Sequence, residues 1–404
     1  MTKQTTAQTR YGGALGAPRP ASEAPKIMLV GVGDLTTHVV NQLLAGPMTS
    51  RLVLAGRDPG ALLRQANLAR FTAANLGALS TIDVERVDLT EIDRTAETLE
   101  RVRPDIIFMG ASLQSWRRIT ELPKPVFTAL DEAQFGPWLP MHLSLNYDLA
   151  RAVRASGITA RVVNAAFPDA VNPILAKAGL APMAGIGNVA NIVPALTFGV
   201  AHLTGRPPQT VRIRLVAQHY FSHLVPRTGH PGNGAYHLDV TDPRDDTPIA
   251  VDHAALFALL SGPLKRLGGV AGQLLTAASA SRVIAGLCEA EPVAAHVPGP
   301  NGLPGGYPAL VSRAGIRLDL PAGLSEQDAI AINERCQAAD GIERIDADGT
   351  AWFTEREMAV MRRMLGYELR SMALADCADQ ARELAAAYAA FKAELFSSKL
   401  EEAA

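Results

Sequence analysis

The chain has 404 residues, 48% of them hydrophobic and 19% charged, so it is long enough for a large core and two domains. A formal net charge of -2 and a pI near 6.5 offer no broad cationic surface, which argues against nucleic acid and anionic membranes as partners. No apolar run reaches the roughly 20 residues that span a bilayer. We therefore expect a soluble globular protein.

The N-terminus and the cysteines bear on location. Residues 1–25 are polar and rich in Gly and Pro, and they lack the apolar core of a signal peptide, which predicts a disordered leader. The three cysteines are far apart and none stands in a C-x-x-C pair: Cys288, Cys336 and Cys377. This usage favours unpaired thiols in a reducing cytoplasm.

Strand and helix patterns alternate in the first half of the chain. Short apolar runs predict strands at KIMLV (26–30), RLVLA (51–55), DIIFMG (105–110) and ARVVNAA (160–166), and TIDVERVDL is a further short run. Helical patterns lie between them: THVVNQLL, DPGALLRQANLARFTAANL with Asp58 available as its cap, IDRTAETLERVR and LNYDLARAVRASG. This order predicts a doubly wound parallel sheet, a Rossmann-type domain over 26–168.

The pattern changes from about residue 169. The helix VANIVPALTFGVAHLTG, the strand VRIRLV and the strand pair PALVSRAGIRLDL follow, and the stretch from Thr354 to Phe396 has helical spacing. We expect an α+β second domain over 169–404 that closes with a helical tail.

The opening unit IMLVGVGDLTTHVVNQLL places glycines between a strand and a helix. Such a turn lets the backbone approach a pyrophosphate, whose charge the helix N-terminus stabilises. We expect the nucleotide to contact Gly31, Gly33, Asp34, Leu35 and Thr36, the last standing where a third glycine is usual. The alternative is a structural glycine turn.

The second strand ends in LVLAGRDPG, with Gly56 and Arg57 where a carboxylate normally accepts hydrogen bonds from the adenosine ribose. A guanidinium at that point can pair with a ribose phosphate. NADP(H) is therefore predicted over NAD(H), which stays possible. The alternative is that Arg57 is a solvated turn residue.

Beyond that loop, the order of features resembles the lactate/malate dehydrogenase superfamily over most of residues 26–338. The matching stretches are FMGASLQSWRRI, NAAFPDAVNPIL, GIGNVANIVPALTFGVAHLTG and VRIRLVAQHYFSHLVP. The resemblance implies an α/β fold, a Rossmann-type sheet followed by an α+β substrate domain of that type. It also implies cofactor contacts at Gly110, Ala111, Ser112 and Asn164, and we expect a homodimer or homotetramer.

The same resemblance implies that His219 is the proton donor and acceptor for a carbonyl or alcohol. His223 fits a surface or interface position better. Asn191 stands where the family has the aspartate that orients the histidine, which predicts that the pKa of His219 is not raised. Pro194 stands where the family has the arginine that grips a substrate carboxylate, so plain lactate or malate is not the expected substrate.

Arginines elsewhere remain candidates for holding an anion. Arg117 and Arg118 fall on the stretch that resembles the family's mobile loop, and Arg227 follows His223 by one helical turn. The alternative for the paired loop arginines is plain solvation.

Residues up to about 112 also resemble saccharopine-dehydrogenase-like reductases, whose second strand ends similarly in Gly-Arg. The first hypothesis is an NADP(H)-dependent oxidoreductase acting on a small carbonyl or alcohol, and the second is an imine-reducing, opine-like enzyme. A third is a catalytically degraded NADP(H)-binding sensor or scaffold, which Asn191 and Pro194 favour. No metal site is expected, because His230 and His237 lack a plausible third ligand.

Overall fold

The computed structural model describes residues 24–46, 51–78, 81–114 and 117–402, without the side chains of Arg117 and of 398–402. Most of the predicted leader, 1–23, lies outside the described residues. Ala24 and Pro25 already lie against the second strand, since their carbonyls accept hydrogen bonds from Arg51.

The first sheet has six parallel strands and confirms the predicted doubly wound order. Its strands are β1 (Lys26–Val30), β2 (Arg51–Gly56), β3 (Ile82–Arg86), β4 (Ile106–Met109), β5 (Arg161–Asn164) and β6 (Ala184–Gly185), and they run β3-β2-β1-β4-β5-β6. Its crossing helices include α1 (Asp34–Ala45), α2 (Pro59–Asn75) and α3 (Ile92–Val102). The strand order reverses between β1 and β4, which places a crevice at their carboxyl ends.

The Pro-rich stretch between β4 and β5 folds as helices. They are α4 (Arg117–Thr120), α5 (Lys124–Asp131) and α6 (Leu139–Ser156), with one 3-10 turn at Gly136–Trp138. Helix α6 packs against α3 and so covers one face of the sheet.

The second half builds an antiparallel sheet. Its strands are β7 (Arg212–Ala217), β8 (Tyr236–Thr241), β9 (Val293–Pro298), β10 (Gly306–Ser312) and β11 (Gly315–Leu318), and β10 with β11 confirms the predicted strand pair. The helices are α7 (Pro168–Lys177), α8 (Val189–Thr204), α9 (His219–Thr228), α10 (His253–Ser261), α11 (Gly269–Cys288) and α12 (Glu326–Ala339). Helix α11 packs against α1, which joins the two halves.

The predicted helical tail over 354–396 consists of two helices with a short strand between them. A small antiparallel sheet, β12 (Ile342–Ile345), β13 (Ala351–Phe353) and β14 (Ser371–Met372), interleaves with α13 (Glu355–Leu365) and α14 (Cys377–Glu402). Gly366 ends α13 in the left-handed conformation, which frees the following chain to pair with β13. Helix α14 then packs on α6, with Leu384 and Tyr388 buried.

One described helix, α11, is long and apolar enough to cross a membrane, but core helices of water-soluble proteins pass the same test. Part of α11 belongs to the core shared with the first sheet, including the buried Ala277, Ala280 and Ile284. All three cysteines are buried, and none of them forms a disulfide in the described part of the chain.

Candidate active site

The glycine turn after β1 leaves a helix N-terminus open. Gly31 has a φ of +81°, and a Cβ there would lie 2.6 Å from the Cβ of Ala111. A Cβ at Gly33 would meet nothing within 4 Å, and no side chain caps α1. The first N–H groups of α1 therefore face a space that a pyrophosphate fits.

Thr36 takes the place of a third glycine without loosening the packing. Its side chain is fully buried, and its Oγ1 donates to the carbonyl of Gly31 at 2.7 Å. Space comes from Gly110, where a Cβ would lie 2.4 Å from that hydroxyl. The missing glycine is thus compensated by Gly110, which directly follows β4.

Arg57 is exposed at the end of β2 and forms no hydrogen bond or ion pair in the described part of the chain. Asp58 caps α2 as predicted, accepting from the N–H of Ala61 at 3.0 Å. The sequence did not single out Asp88, which lines the same cleft after β3. The hydroxyl of Thr90 lowers the pKa of Asp88, and Arg57 contributes at longer range.

A cleft of about 1090 Å³ runs from the glycine turn to α9. It brings together most of the predicted site residues: Gly31, Gly33, Asp34, Leu35, Thr36, Arg57, Gly110, Ala111, Ser112, Arg118, Asn191, His219 and His223. Arg117 begins α4 beside it, but its side chain lies outside the described residues.

Asn164 does not line this cleft. It is fully buried, and its amide N–H donates to the carbonyl of Ala166 at 3.0 Å and to Asn172 Oδ1 at 2.9 Å. Its Oδ1 accepts from the N–H of Ala166 at 2.7 Å. The side chain holds the turn after β5 and so shapes the wall of the cleft indirectly.

His219 begins α9 and is oriented by a carboxylate from a distant element. Its Nδ1 lies 2.9 Å from Oδ2 of Asp340, the nearly fully buried residue that follows α12. The N–H of Phe135 and the amide of Gln218 also donate to Asp340, at 3.3 and 3.1 Å. Because Nδ1 faces Asp340, Nε2 is left for a molecule in the cleft.

The electrostatics around His219 favour the imidazolium. Burial disfavours the charged ring, but Asp340 and then Asp169 outweigh it and raise the pKa of His219. Asp169 Oδ1 accepts the backbone N–H of His219 at 2.9 Å. Burial raises the pKa of Asp169 to about 6, with Asp340 adding to the rise.

The prediction that Asn191 is the partner of His219 is therefore wrong, as is the prediction that the pKa is not raised. Asn191 lines the cleft, but its amide donates to Thr276 Oγ1 at 2.9 Å. Asp340 supplies the carboxylate from the far end of the chain, where no local pattern marks it.

His223 lies one turn after His219, with ring centroids 5.5 Å apart. Its Nε2 is 2.6 Å from Nη1 of Arg227, so this nitrogen accepts and the ring is neutral. Burial lowers the pKa of His223 in spite of Asp131.

The arginine candidates divide. Arg227 pairs with Asp131 at 2.6 Å and does not line the cleft, so the structure does not bring it to the site as an anion holder. Arg118 lines the cleft, with Nη1 3.6 Å from Glu121 Oε2. Pro194 is exposed on α8 and lines a different cavity. Arg266, which the sequence did not single out, also lines the cleft.

Three aromatic side chains beside His219 were also missed: Phe135, His142 and Phe167. The ring of Phe135 stacks on His219 at 4.7 Å, and Phe167 meets it edge-on at 5.7 Å. His142 is buried on α6, and burial, with the charge of His219, lowers its pKa to about 3. No periodicity distinguishes such rings from ordinary core residues.

The chain is a two-part α/β protein of the Rossmann class. Three features define it: the glycine turn, the reversal of strand order between β1 and β4, and the His219–Asp340 pair at the far end of one cleft. No protein-family model and no curated protein sequence matches the chain. Among the described residues no three His, Cys, Asp or Glu side chains form a group that could hold a metal ion.

Solved structures share the fold. Malate dehydrogenase from Cryptosporidium parvum is 14% identical with a TM-score of 0.52, covering 78% of this chain and 98% of its own. Lactate dehydrogenase from Eimeria maxima with NADH and oxamate is 13% identical, with a TM-score of 0.51 over 78% and 91%. Lactate dehydrogenase from Cryptosporidium parvum, complexed with lactic acid and nicotinamide adenine dinucleotide, is 15% identical, with a TM-score of 0.50 over 79% and 98%. The chain therefore has the lactate/malate dehydrogenase fold.

Proposed function

We propose that this chain is an NADP(H)-dependent oxidoreductase that transfers hydride between the nicotinamide and a small carbonyl or alcohol. The observation that carries the proposal is the pairing of His219 with Asp340 in the cleft that begins at the open N-terminus of α1. Two structures with the same fold are described as holding NADH or nicotinamide adenine dinucleotide, which supports a nicotinamide cofactor.

The residues present suit a dinucleotide. Gly31 and Gly33 admit the pyrophosphate, while Gly110, Ala111 and Ser112 line the cleft after β4. Arg57 supports a ribose phosphate because it is an exposed cation at the end of β2. Asp88 is close enough to Arg57 for the guanidinium charge to lower its pKa. The negative charge of Asp88 repels a ribose phosphate at the same place.

When bound, the nicotinamide supplies or accepts the hydride. In the reductive direction the carbonyl carbon gains the hydride, and the electron pair of the C=O double bond moves to the oxygen. That oxygen takes the proton from Nε2 of His219, and the product is the alcohol. Asp340 stabilises the imidazolium before transfer and holds its Nδ1 as the donor. Solvent then returns a proton to His219.

Titration and turnover test the proposal together. Calorimetry with NADPH and NADH measures binding, and the loss of NADPH absorbance measures reduction of a panel of oxo acids, ketones and imines. We expect tight NADPH binding and reduction that His219→Asn lowers about 100-fold or more, with cofactor binding kept. Absence of saturable binding of either nucleotide contradicts the proposal.

An imine-reducing, opine-like activity is a second candidate. The observation that favours it is that two carboxylates contact His219, Asp340 at the imidazole and Asp169 at the backbone N–H, and would stabilise an iminium cation. The third candidate is a catalytically degraded sensor, which Asn191 and Pro194 favoured. Because Asp340 orients His219 in place of Asn191, only Pro194 still favours this hypothesis. The panel of oxo acids, ketones and imines separates the three candidate functions.

We also propose that the chain self-associates and works in the cytoplasm. Large apolar side chains are exposed on α2, α8 and near the start of α11, which supports a homodimer or homotetramer: Leu68, Phe71, Phe198, Leu267 and Leu274. Three buried cysteines, none of them in a disulfide in the described part of the chain, suit a reducing compartment. Sedimentation velocity at micromolar concentration tests the assembly, and a single monomer peak contradicts it.

A further inference from the structure

The wall beside His219 is built from aromatic rings. Phe135 packs against Phe167 at 4.5 Å edge-on, and its ring centroid is 4.8 Å from that of His142. All three rings line the cleft together with His219. A molecule that reaches Nε2 of His219 therefore meets flat, polarisable surfaces, which favour another aromatic ring at offset or edge-on geometry.

Phe167 is held in a conformation that its residue type rarely takes. Its φ is 46° and its ψ is 54°, in the left-handed region, and Pro168 follows, which favours extended backbone at the preceding residue. Such a conformation persists only where the surroundings fix it. Here the buried amide of Asn164 clamps Ala166, the neighbouring residue. These contacts hold the ring of Phe167 in the wall of the cleft.

His142 adds one neutral polar group to this wall. It is nine-tenths or more buried, and its Nδ1 has no hydrogen-bond partner among the described residues. The other ring nitrogen, Nε2, also forms no hydrogen bond among the described residues but is not fully buried, so it is the polar atom that His142 can offer to a molecule in the cleft. A neutral imidazole there can donate to an uncharged oxygen without bringing a counter-charge.

The charges near His219 oppose a substrate carboxylate. Asp340 and Asp169 contact the histidine, while the cation on the same helix, Arg227, is already paired with Asp131. Arg118 and Arg266 line the cleft as exposed side chains, and neither contacts His219. An anion placed against the histidine would meet two carboxylates for one imidazolium, which costs free energy in a partly buried site.

We propose that the substrate is an uncharged ketone, or the corresponding alcohol, that carries an aromatic ring, with Phe135 and Phe167 contacting the ring and His142 as a neutral hydrogen-bond donor. This rests on the proposed function, because His219 supplies the proton to the same oxygen. His142 and Phe167 are then the residues that determine specificity.

A matched set of substrates tests the class. Benzylacetone is compared with the oxo acid in which a carboxylate replaces its methyl group, and with its cyclohexyl analogue. We expect kcat/KM for benzylacetone to exceed both by about tenfold or more, since the pocket rewards the ring and penalises the charge. Calorimetry of the benzylacetone-derived alcohol with the protein–NADP⁺ complex gives a second, non-kinetic readout.

Two variants test the residues. Phe167→Leu should raise KM for benzylacetone about tenfold, with a smaller change in kcat and in NADPH affinity. Phe396→Leu, at an exposed position on α14, should leave all three unchanged. His142→Phe keeps an aromatic ring and removes the donor, so it should lower kcat/KM for the ketone about tenfold.

Any of three results overturns the substrate class: a preference for the oxo acid, equal use of the cyclohexyl analogue, or no saturable binding of the alcohol. NADPH binding with reduction of any other carbonyl then leaves the proposed function standing. Failure to bind NADPH overturns both.

Discussion

His219 and His223 lie one turn apart on α9, yet their surroundings give them opposite protonation. Asp340 and Asp169 surround the first, and Arg227 donates to the second. Because a general acid must hold a proton near neutral pH, only His219 is suited to that task. We expect His223→Asn to leave turnover within about threefold of the wild-type rate, and steady-state kinetics checks this. A loss comparable with that of His219→Asn would move the catalytic role to His223.

Arg57 carries the predicted choice of cofactor. If its guanidinium pairs with the ribose phosphate, Arg57→Ala should narrow the gap between NADPH and NADH affinity by roughly 1–3 kcal/mol, the range of a charge-assisted contact. Arg94→Ala, an exposed arginine on α3, is the matched control. Equal affinities of the wild-type protein for NADPH and NADH would contradict the NADP(H) preference. Repulsion between Asp88 and the ribose phosphate would then be the physical reason.

At the scale of elements, α4 is the candidate lid. Its Arg118 lines the cleft, and the hydroxyl of Tyr388 donates to the carbonyl of Arg118 at 3.1 Å, which ties the lid to α14. If the lid closes over substrate, replacing Arg117 and Arg118 with Ala should lower turnover about tenfold or more and leave NADPH affinity nearly unchanged.

The control for the lid variant replaces two consecutive arginines on α13, Arg362 and Arg363, with Ala. Unchanged turnover in the lid variant would show that its arginines are surface charges. A loss in both variants would indicate a general effect of removing positive charge.

Local patterns predicted the elements that local physics determines. The buried strands β1, β2 and β4 and the glycine turn were found because both depend on neighbours in sequence. Strands β12 to β14 were missed because they are two to four residues long and lack the run of four buried apolar residues that marks β4. Asp340 was missed for a different reason: it reaches His219 from 121 residues away. Thr36 fits only because of Gly110, which follows β4 and is 74 residues away in sequence.

For the whole molecule, buried neutral histidines predict sensitivity to acid. The pKa values of His142 and His296 fall to about 3, mainly because burial disfavours the charged ring. Below about pH 6.5 the unfolded chain binds protons that the native state does not. The free energy of unfolding therefore falls as the pH is lowered, by about 1.4 kcal/mol per pH unit for each histidine. His219, whose pKa is raised, is protonated in both states there and adds no slope. His223, whose pKa burial lowers, adds to the fall, while Asp169, whose pKa burial raises to about 6, takes up a proton in the native state below that pH and opposes it.

Urea unfolding between pH 6.5 and 4.5 measures this dependence. His142→Phe should lower the slope by about 1.4 kcal/mol per pH unit, because one histidine that stays neutral in the native state is gone. A flat profile in the wild-type protein would mean that these rings take up protons in the native state.

The central claim is that His219, oriented by Asp340, is the proton donor of a nicotinamide-dependent reduction. Reduction needs the imidazolium, and Asp340 keeps it to higher pH by raising the pKa of His219. The most direct test is the pH profile of kcat for NADPH-dependent reduction in the wild-type protein, Asp340→Asn and His219→Asn. We predict that the alkaline fall moves to lower pH in Asp340→Asn, with turnover lowered about 100-fold, and that it vanishes with nearly all activity in His219→Asn. An alkaline fall at the same pH in the wild-type protein and in Asp340→Asn would contradict the account.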